Sequence, residues 1–158
     1  MDYLIRFYRD EDAERLSEIA LAAIAEVGSH AYSVEQVAAW AARHPGPEMY
    51  RRRARDGHAI FVAADADDLP VAYAVLEPDG HLDRLYNHPE HTRQGLSARL
   101  LECADNHART TGLGRLYTEA SELARPSFER AGYAVTHRRD FEIGGVPIHN
   151  YAMEKLLG

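Results

Sequence analysis

The chain has little of what holds secreted or membrane proteins together. Cys103 is its single cysteine, so no internal disulfide can form, and a reducing compartment is expected. No apolar run is long enough to span a bilayer. The opening residues, MDYLIRFYRDED, are charged and lack the apolar core of an export signal. The expected location is therefore cytoplasmic, with no membrane partner. Positive charge is also scarce: 18 Lys and Arg stand against 25 Asp and Glu, a net charge of −7. Binding nucleic acid requires a clustered basic face, so no nucleic-acid partner is expected. The one basic cluster, Arg51, Arg52, Arg53 and Arg55, reads as a solvated helix face or as a contact for an acidic group. Neither the three-glycine dinucleotide fingerprint nor the Walker lysine motif occurs.

What is present suits one folded domain over residues 1–158, with a 46% apolar content and no repeat, linker or low-complexity segment. Leu4 to Tyr8 reads as a strand. Ala13, Leu16, Ile19, Ala20, Ala23 and Ile24 then recur at helical spacing, up to a stop at Gly28. Ser33 and Gln36 form a capping box for a second helix, which His44-Pro45-Gly46-Pro47 breaks. Glu48 to Arg55 reads as a short helical piece. Ala59 to Ala64, Pro70 to Leu76 and His81 to Asn87 are strands joined by short polar links, which predicts an antiparallel meander. A helix follows from Leu96 to Thr110, then a strand from Arg115 to Ala120. The helix crossing between these last two strands makes them parallel neighbours. A helix starting late after Ser121 to Pro126 and two strands around the Gly144-Gly145 turn complete the chain.

The stretch LDRLYNHPEHTRQGLSARLL, Leu82 to Leu101, organises the rest. A strand ends at Asn87-His88-Pro89, and a helix opens at Gly95 with Leu96, Leu100, Ala104 and Ala108 on one face. The free amides at such a helix mouth, together with its dipole, suit a phosphate or pyrophosphate. A plain strand-to-helix connection has the same local features. Cys103, inside this helix, reads as an inert thiol.

Four segments in order resemble the GCN5-related N-acetyltransferase (GNAT) superfamily. Leu85-Tyr86-Asn87-His88-Pro89 is similar to its Leu-Tyr-Val-x-Pro strand end. Thr92-Arg93-Gln94-Gly95-Leu96-Ser97 is similar to its Arg/Gln-x-x-Gly-x-Gly/Ala loop. Ala120 to Tyr133 resembles its Ala-Ser-x-x-Ala-x-Pro-Phe-Tyr-Glu-Lys-x-Gly-Phe segment, and Met153-Glu154-Lys155-Leu156 its last strand. The resemblance implies an α/β fold. Its single mixed, mostly antiparallel sheet has a central splayed parallel strand pair and about four flanking helices. It implies acetyl-CoA (coenzyme A) as donor and a primary amine as acceptor. It places the pyrophosphate on Arg93, Gln94, Gly95, Leu96, Ser97 and Ala98, and the pantetheine along Leu85, Tyr86 and Asn87, with Ser121 as a further contact. Three positions depart from the family pattern. Thr92 replaces Arg or Gln, Ser97 replaces Gly or Ala, and Phe128 stands where the family has the tyrosine that protonates the leaving thiolate.

Direct transfer needs a base for the amine and N–H groups for the oxyanion. Counting back from Gly95, His81 falls where histone acetyltransferases of this fold carry a catalytic glutamate. His81 and Asp83 are the base candidates, sharing a strand face with Leu85 and Asn87, and Glu77 is a third. Asn87 is the oxyanion donor candidate. Each of these also has a plain reading as turn or strand surface. With Phe128 in place of the tyrosine, the thiolate leaves unassisted, another group such as Tyr117 or Tyr151 acts, or the chain is a weak catalyst. His88 and His91 have His-x-x-His spacing but no further ligand, so no metal is expected. His149 and Asn150 are candidates for the acceptor side. Residues 28–55 form its expected rim, with Tyr32, Trp40 and Tyr50 as a possible aromatic wall. The expected activity is acetylation of a small-molecule amine. The alternatives are a CoA-binding or protein-interaction module with weak catalysis, and a lysine or N-terminal protein acetyltransferase. Unpaired edge strands leave room for a homodimer.

Overall fold

The computed structural model describes residues 2–28 and 30–158; Ser29, inside the expected rim, lies outside them. The elements run β1 (Leu4–Phe7), α1 (Ala13–Gly28), α2 (Val34–Ala42), α3 (Glu48–Arg55), β2 (Ala59–Ala64), β3 (Pro70–Leu76) and β4 (Leu82–Asn87). They continue with α4 (Leu96–Thr110), β5 (Arg115–Ala120), α5 (Arg125–Arg130), β6 (Ala134–Ile143) and β7 (Val146–Leu156). Five α-helices are thus described where about four were expected. Among them α3, read from the sequence as a short helical piece, forms from an arginine-rich run because it buries Met49 and Tyr50 on one side. On the other, Glu14 and Glu48 neutralise Arg51, and Glu48 also meets Arg55. The expected capping box opens α2. Ser33 Oγ accepts from the Gln36 amide at 3.1 Å, and Gln36 Oε1 accepts from the Ser33 amide at 2.9 Å. Gln36 also donates to the Pro147 carbonyl, tying α2 to β7.

The strands form an antiparallel arm, β1-β2-β3-β4, and a second antiparallel arm, β5-β7-β6. One parallel bridge, His81 to Tyr117, joins them. There the Tyr117 amide donates to the Gly80 carbonyl at 3.1 Å, and Thr118 Oγ1 donates to the Leu82 carbonyl at 2.7 Å. Beyond that point β4 and β5 share no ladder, so the expected parallel pair is splayed widely enough to leave two arms. The approach is close on the bridged side. Gly80 has φ +104°, and a Cβ there would lie 2.4 Å from the Arg115 carbonyl oxygen. Only glycine meets both demands.

β4 does not alternate along its whole length. Leu82 pairs with Leu76 and Arg84 with Val75, which leaves Asp83 as the extra residue of a bulge. Leu82 and Leu85 therefore pack into the same core although they are three apart. The expectation that His81, Asp83, Leu85 and Asn87 share one face is corrected here. The bulge sends Asp83 toward α3 and leaves Leu85 and Asn87 on their own side.

Two apolar layers enclose the strands. On one face Leu82, Leu96, Leu100, Leu116, Phe128 and Met153 pack beneath α4 and α5. On the other Leu16, Ile19, Tyr50, Ile60, Val62 and Tyr73 pack beneath α1 and α3. The α4 stripe read from the sequence, Leu96, Leu100, Ala104 and Ala108, is buried throughout. No helix among the described residues is long and apolar enough to cross a membrane.

Candidate active site

The β4–α4 turn is built from backbone conformations that expose amides. Arg93 has φ +62° and Gly95 φ +74°, and Gly95 is the N-cap of α4 with no side chain capping the amides behind it. A left-handed residue leading into a right-handed helix is the kind of turn that gathers backbone N–H groups into an anion-binding concavity, and the 15-residue helix adds its positive end. Arg93 is a non-glycine residue held at positive φ, a strain that clusters at functional sites.

A cleft of about 670 Å³ starts at this turn. Leu85, Tyr86, Asn87, Arg93, Gly95, Leu96, Ser97, Ala98 and Ser121 all line it. Gln94 is the one sequence-named contact that does not. Asn87 Nδ2 donates to Ser97 Oγ at 3.2 Å, while buried Asn87 Oδ1 has no partner among the described residues. Ser121 Oγ accepts from the Ala124 amide at 3.2 Å, capping the turn before α5. The β4 edge also faces the cleft. His88 N donates to the Val71 carbonyl, so the 88–71 and 86–73 pairs are the hydrogen-bonded ones. By antiparallel alternation, the N–H groups of Leu85 and Asn87 then point away from β3, toward the splay.

The cleft passes from one face of the sheet to the other. Leu96, Ser97 and Leu101 line it from α4, whereas Ala23, Tyr32, Trp40 and Tyr86 line it from the side of α1 and α2. Its charged lining residues, Arg93, Glu102, Asp105, Arg130 and Lys155, all belong to the turn, α4, α5 or β7. Lys155 Nζ donates to Asp105 and to the Ala131 carbonyl on that side.

His81 and Asp83 are absent from the cleft lining. His81 Nδ1 lies 2.8 Å from Glu77 Oε1, and Nε2 lies 2.8 Å from Glu119 Oε1. Its ring stacks on Tyr117 at 4.8 Å. Burial works against the imidazolium, but the Glu119 and Glu77 hydrogen bonds outweigh it and raise the His81 pKa to about 9. Glu119, hydrogen-bonded to His81, is held below the usual carboxylate range. His81 therefore carries its proton at neutral pH and donates on both sides, which is the wrong state for the expected base. Asp83 Oδ2 lies 2.9 Å from Arg53 Nη1, so the basic cluster is neither wholly solvated nor at the helix mouth. Glu77, His81 and Asp83 are the only His, Cys, Asp or Glu group among the described residues close enough to share a cation. Arg53 already stands within that group.

Other candidates are also spoken for. His91 Nδ1 meets the Tyr3 hydroxyl at 2.9 Å, and His88 Nδ1 accepts from the Glu90 amide. His149 Nε2 lies 2.6 Å from Glu122 Oε2, and Asn150 accepts from Arg139. The Tyr117 hydroxyl donates to Asp79, and that bond first, then burial, pushes its pKa up to about 12. Tyr151 is raised by its hydrogen bond to Glu122. Cys103 is half-buried, with its thiol pushed up by desolvation. Sequence reasoning missed Glu119 and Glu122, and named Arg53 in the basic cluster without its pairing to Asp83. The partners of Glu119, Glu122 and Arg53 lie 38, 27 and 30 residues away, and no local pattern marks such pairs.

Phe128 is 2% exposed and edge-on to Tyr133, with ring centroids 5.0 Å apart. The Tyr133 hydroxyl is buried with no partner among the described residues. Tyr133→Phe should therefore leave stability unchanged or raise it by up to about 1 kcal/mol in urea denaturation. A loss of about 2 kcal/mol would show that the hydroxyl has a partner.

A family model described as an acetyltransferase (GNAT) domain matches residues 29–155. An uncharacterized N-acetyltransferase of Escherichia coli K12, YafP, is 26% identical over 149 residues, covering 94% of this chain and 93% of that protein. A solved structure titled as a GCN5-related N-acetyltransferase, aminotransferase class II, from Rhodopseudomonas palustris aligns with a TM-score of 0.89. It is 29% identical, over 99% of this chain and 97% of that one. PaiA N-acetyltransferase from Thermoplasma acidophilum, solved with coenzyme A, shares the fold with a TM-score of 0.79. It is 21% identical, over 99% of this chain and all of that one.

Proposed function

The chain belongs to the GNAT acetyltransferase family, and on that footing we propose that residues 1–158 form one domain that moves an acetyl group from acetyl-CoA to a primary amine of a small molecule. The observation that carries the reading is the cleft joining an amide-lined helix mouth to an unpaired strand edge. The amides of residues 93–98 would hold the pyrophosphate. The edge of Leu85, Tyr86 and Asn87 would pair with the pantetheine as an added strand does. Asn87 Oδ1, orphaned in the structure, would accept from a cofactor amide. Solution of the PaiA relative with coenzyme A supports this fit.

Bound acetyl-CoA supplies an activated acyl group, and the chain's own part is to position and to polarise. The Asn87 N–H group is the oxyanion donor in this reading, since it faces the splay, and the Leu85 N–H group is left to the pantetheine. His81 holds β4 and β5 at the closed end of the splay, and the imidazolium works there as a clamp. A proton leaving the amine would reach solvent through water.

Isothermal titration of acetyl-CoA and of desulfo-CoA tests the donor half. Micromolar binding of both is expected, and no binding at millimolar concentration would end the proposal. A panel of amines tests the acceptor half. Phe128 favours one second reading, a CoA-binding module with little turnover, because a buried phenyl ring has no proton to give. Tight CoA binding with no amine acetylated would select it.

A further inference from the structure

The α1–α2 side of the opening differs from the donor side in chemistry. Tyr32, Trp40, Tyr86 and Ala23 line it, and none carries a charge. The Tyr32 and Trp40 rings meet edge to face at 5.7 Å. The Tyr32 hydroxyl is already used, donating to the His149 carbonyl and accepting from the Glu122 amide. The wall therefore offers ring faces and edges more than hydroxyl groups.

The ionisable groups nearby are engaged with one another. Glu77 and Glu119 hold His81, Asp83 faces Arg53, and Glu122 holds His149. None of these residues lines the cleft. The cleft's lining carboxylates, Glu102 and Asp105, stand on α4 at the donor side, so an alkyl ammonium seated on the α1–α2 side would find no lining carboxylate there to receive it and no free base to deprotonate it. An amine attached directly to an aromatic ring has neither need. Its lone pair is delocalised into the ring, so it is uncharged at neutral pH, and its body matches an aromatic wall.

We propose that the acceptor is a primary aryl amine, seated against Tyr32, Trp40 and Tyr86 on the α1–α2 side of the opening. This rests on the acetyl-transfer reading above. The aryl nitrogen lone pair forms the N–C bond to the acetyl carbonyl carbon, and the carbonyl electrons move to oxygen. When they return, the C–S bond breaks and its electron pair leaves on sulfur. The nitrogen, cationic after attack, gives its proton to that sulfur through water. The products are an N-aryl acetamide and the CoA thiol. The transfer closes without a protein base or acid, which fits a protonated His81 and a phenyl ring at Phe128.

The test compares aniline and p-toluidine with benzylamine and lysine at pH 7, following amide product and acetyl-CoA binding on the same protein. The aryl amines should show kcat/KM at least about tenfold above benzylamine, since the alkyl amine lacks the base its deprotonation requires. Trp40→Leu should lower aniline kcat/KM up to about tenfold by raising KM, through lost aromatic packing, with desulfo-CoA affinity unchanged. Acetyl-CoA binding with benzylamine or lysine preferred, or with aniline ignored, overturns the aryl-amine proposal and leaves acetyl transfer standing. No cofactor binding and no turnover removes both readings together.

Discussion

Ser97→Asp abolishes coenzyme A binding while leaving the fold as stable as before or slightly more so. Ser97 is the second residue of α4, directly behind Gly95, and its hydroxyl faces the cleft beside Asn87. A carboxylate there meets the helix's positive end and can still accept from Asn87 Nδ2. Such placement stabilises a helix by about 0.3–1 kcal/mol. The same charge repels a pyrophosphate brought to the same amides. An affinity loss of at least about 100-fold, about 2.7 kcal/mol, is expected by titration. The opposite signs make the result diagnostic. If binding survives in a folded variant, the helix mouth is not the anion site. A loss of binding together with unfolding would point to the Asn87–Ser97 contact as structural.

The second large effect is on stability against pH. The His81 pKa is raised to about 9 in the folded chain, against 6.5 as the ordinary value. Below pH 6.5 folded and unfolded chains both hold this proton, and the stabilisation is complete. As pH rises the unfolded chain loses the proton first, so stability falls, until the folded chain loses it too near pH 9. The His81 side chain is 15% exposed, so most of the shift counts. The unfolding free energy should drop by about 2–3 kcal/mol across this window. Urea denaturation at pH 6 and pH 9.5 measures it. His81→Gln should be less stable at pH 6 and nearly flat across the range, since glutamine does not titrate. Parallel pH curves for the two proteins would show that His81 is not the group responsible.

Much of the fold was legible because its signals are local. Ser33 and Gln36 announce the start of α2 within four residues. The Leu96, Leu100, Ala104 and Ala108 stripe gives α4 its buried face, and the Gly144-Gly145 turn separates β6 from β7. The helix mouth at Gly95 was legible for the same reason. The chemistry near the bulge was not. A strand of strict period two would have aimed His81, Asp83 and Asn87 one way, and only the β3 partners show that Asp83 is an extra residue. The protonation state of His81 depends on Glu119, which the crossover through α4 brings beside it from 38 residues away. Phe128 was read correctly as lacking a proton. Its burial against Tyr133 comes from the packing of α5, which composition does not encode.

The single bridge between the two arms also bears on exchange of backbone hydrogens with solvent. At the bridge the Tyr117 amide is locked to the Gly80 carbonyl and should exchange slowly. Leu85 and Asn87, a few residues further along β4, turn their N–H groups to the gap and should exchange readily despite sitting in a core strand. A ligand lying along that edge would slow just these two amides and spare Tyr86, whose N–H already belongs to β3. The alternation would then appear as every second residue along β4, the footprint of a strand completed by something other than protein.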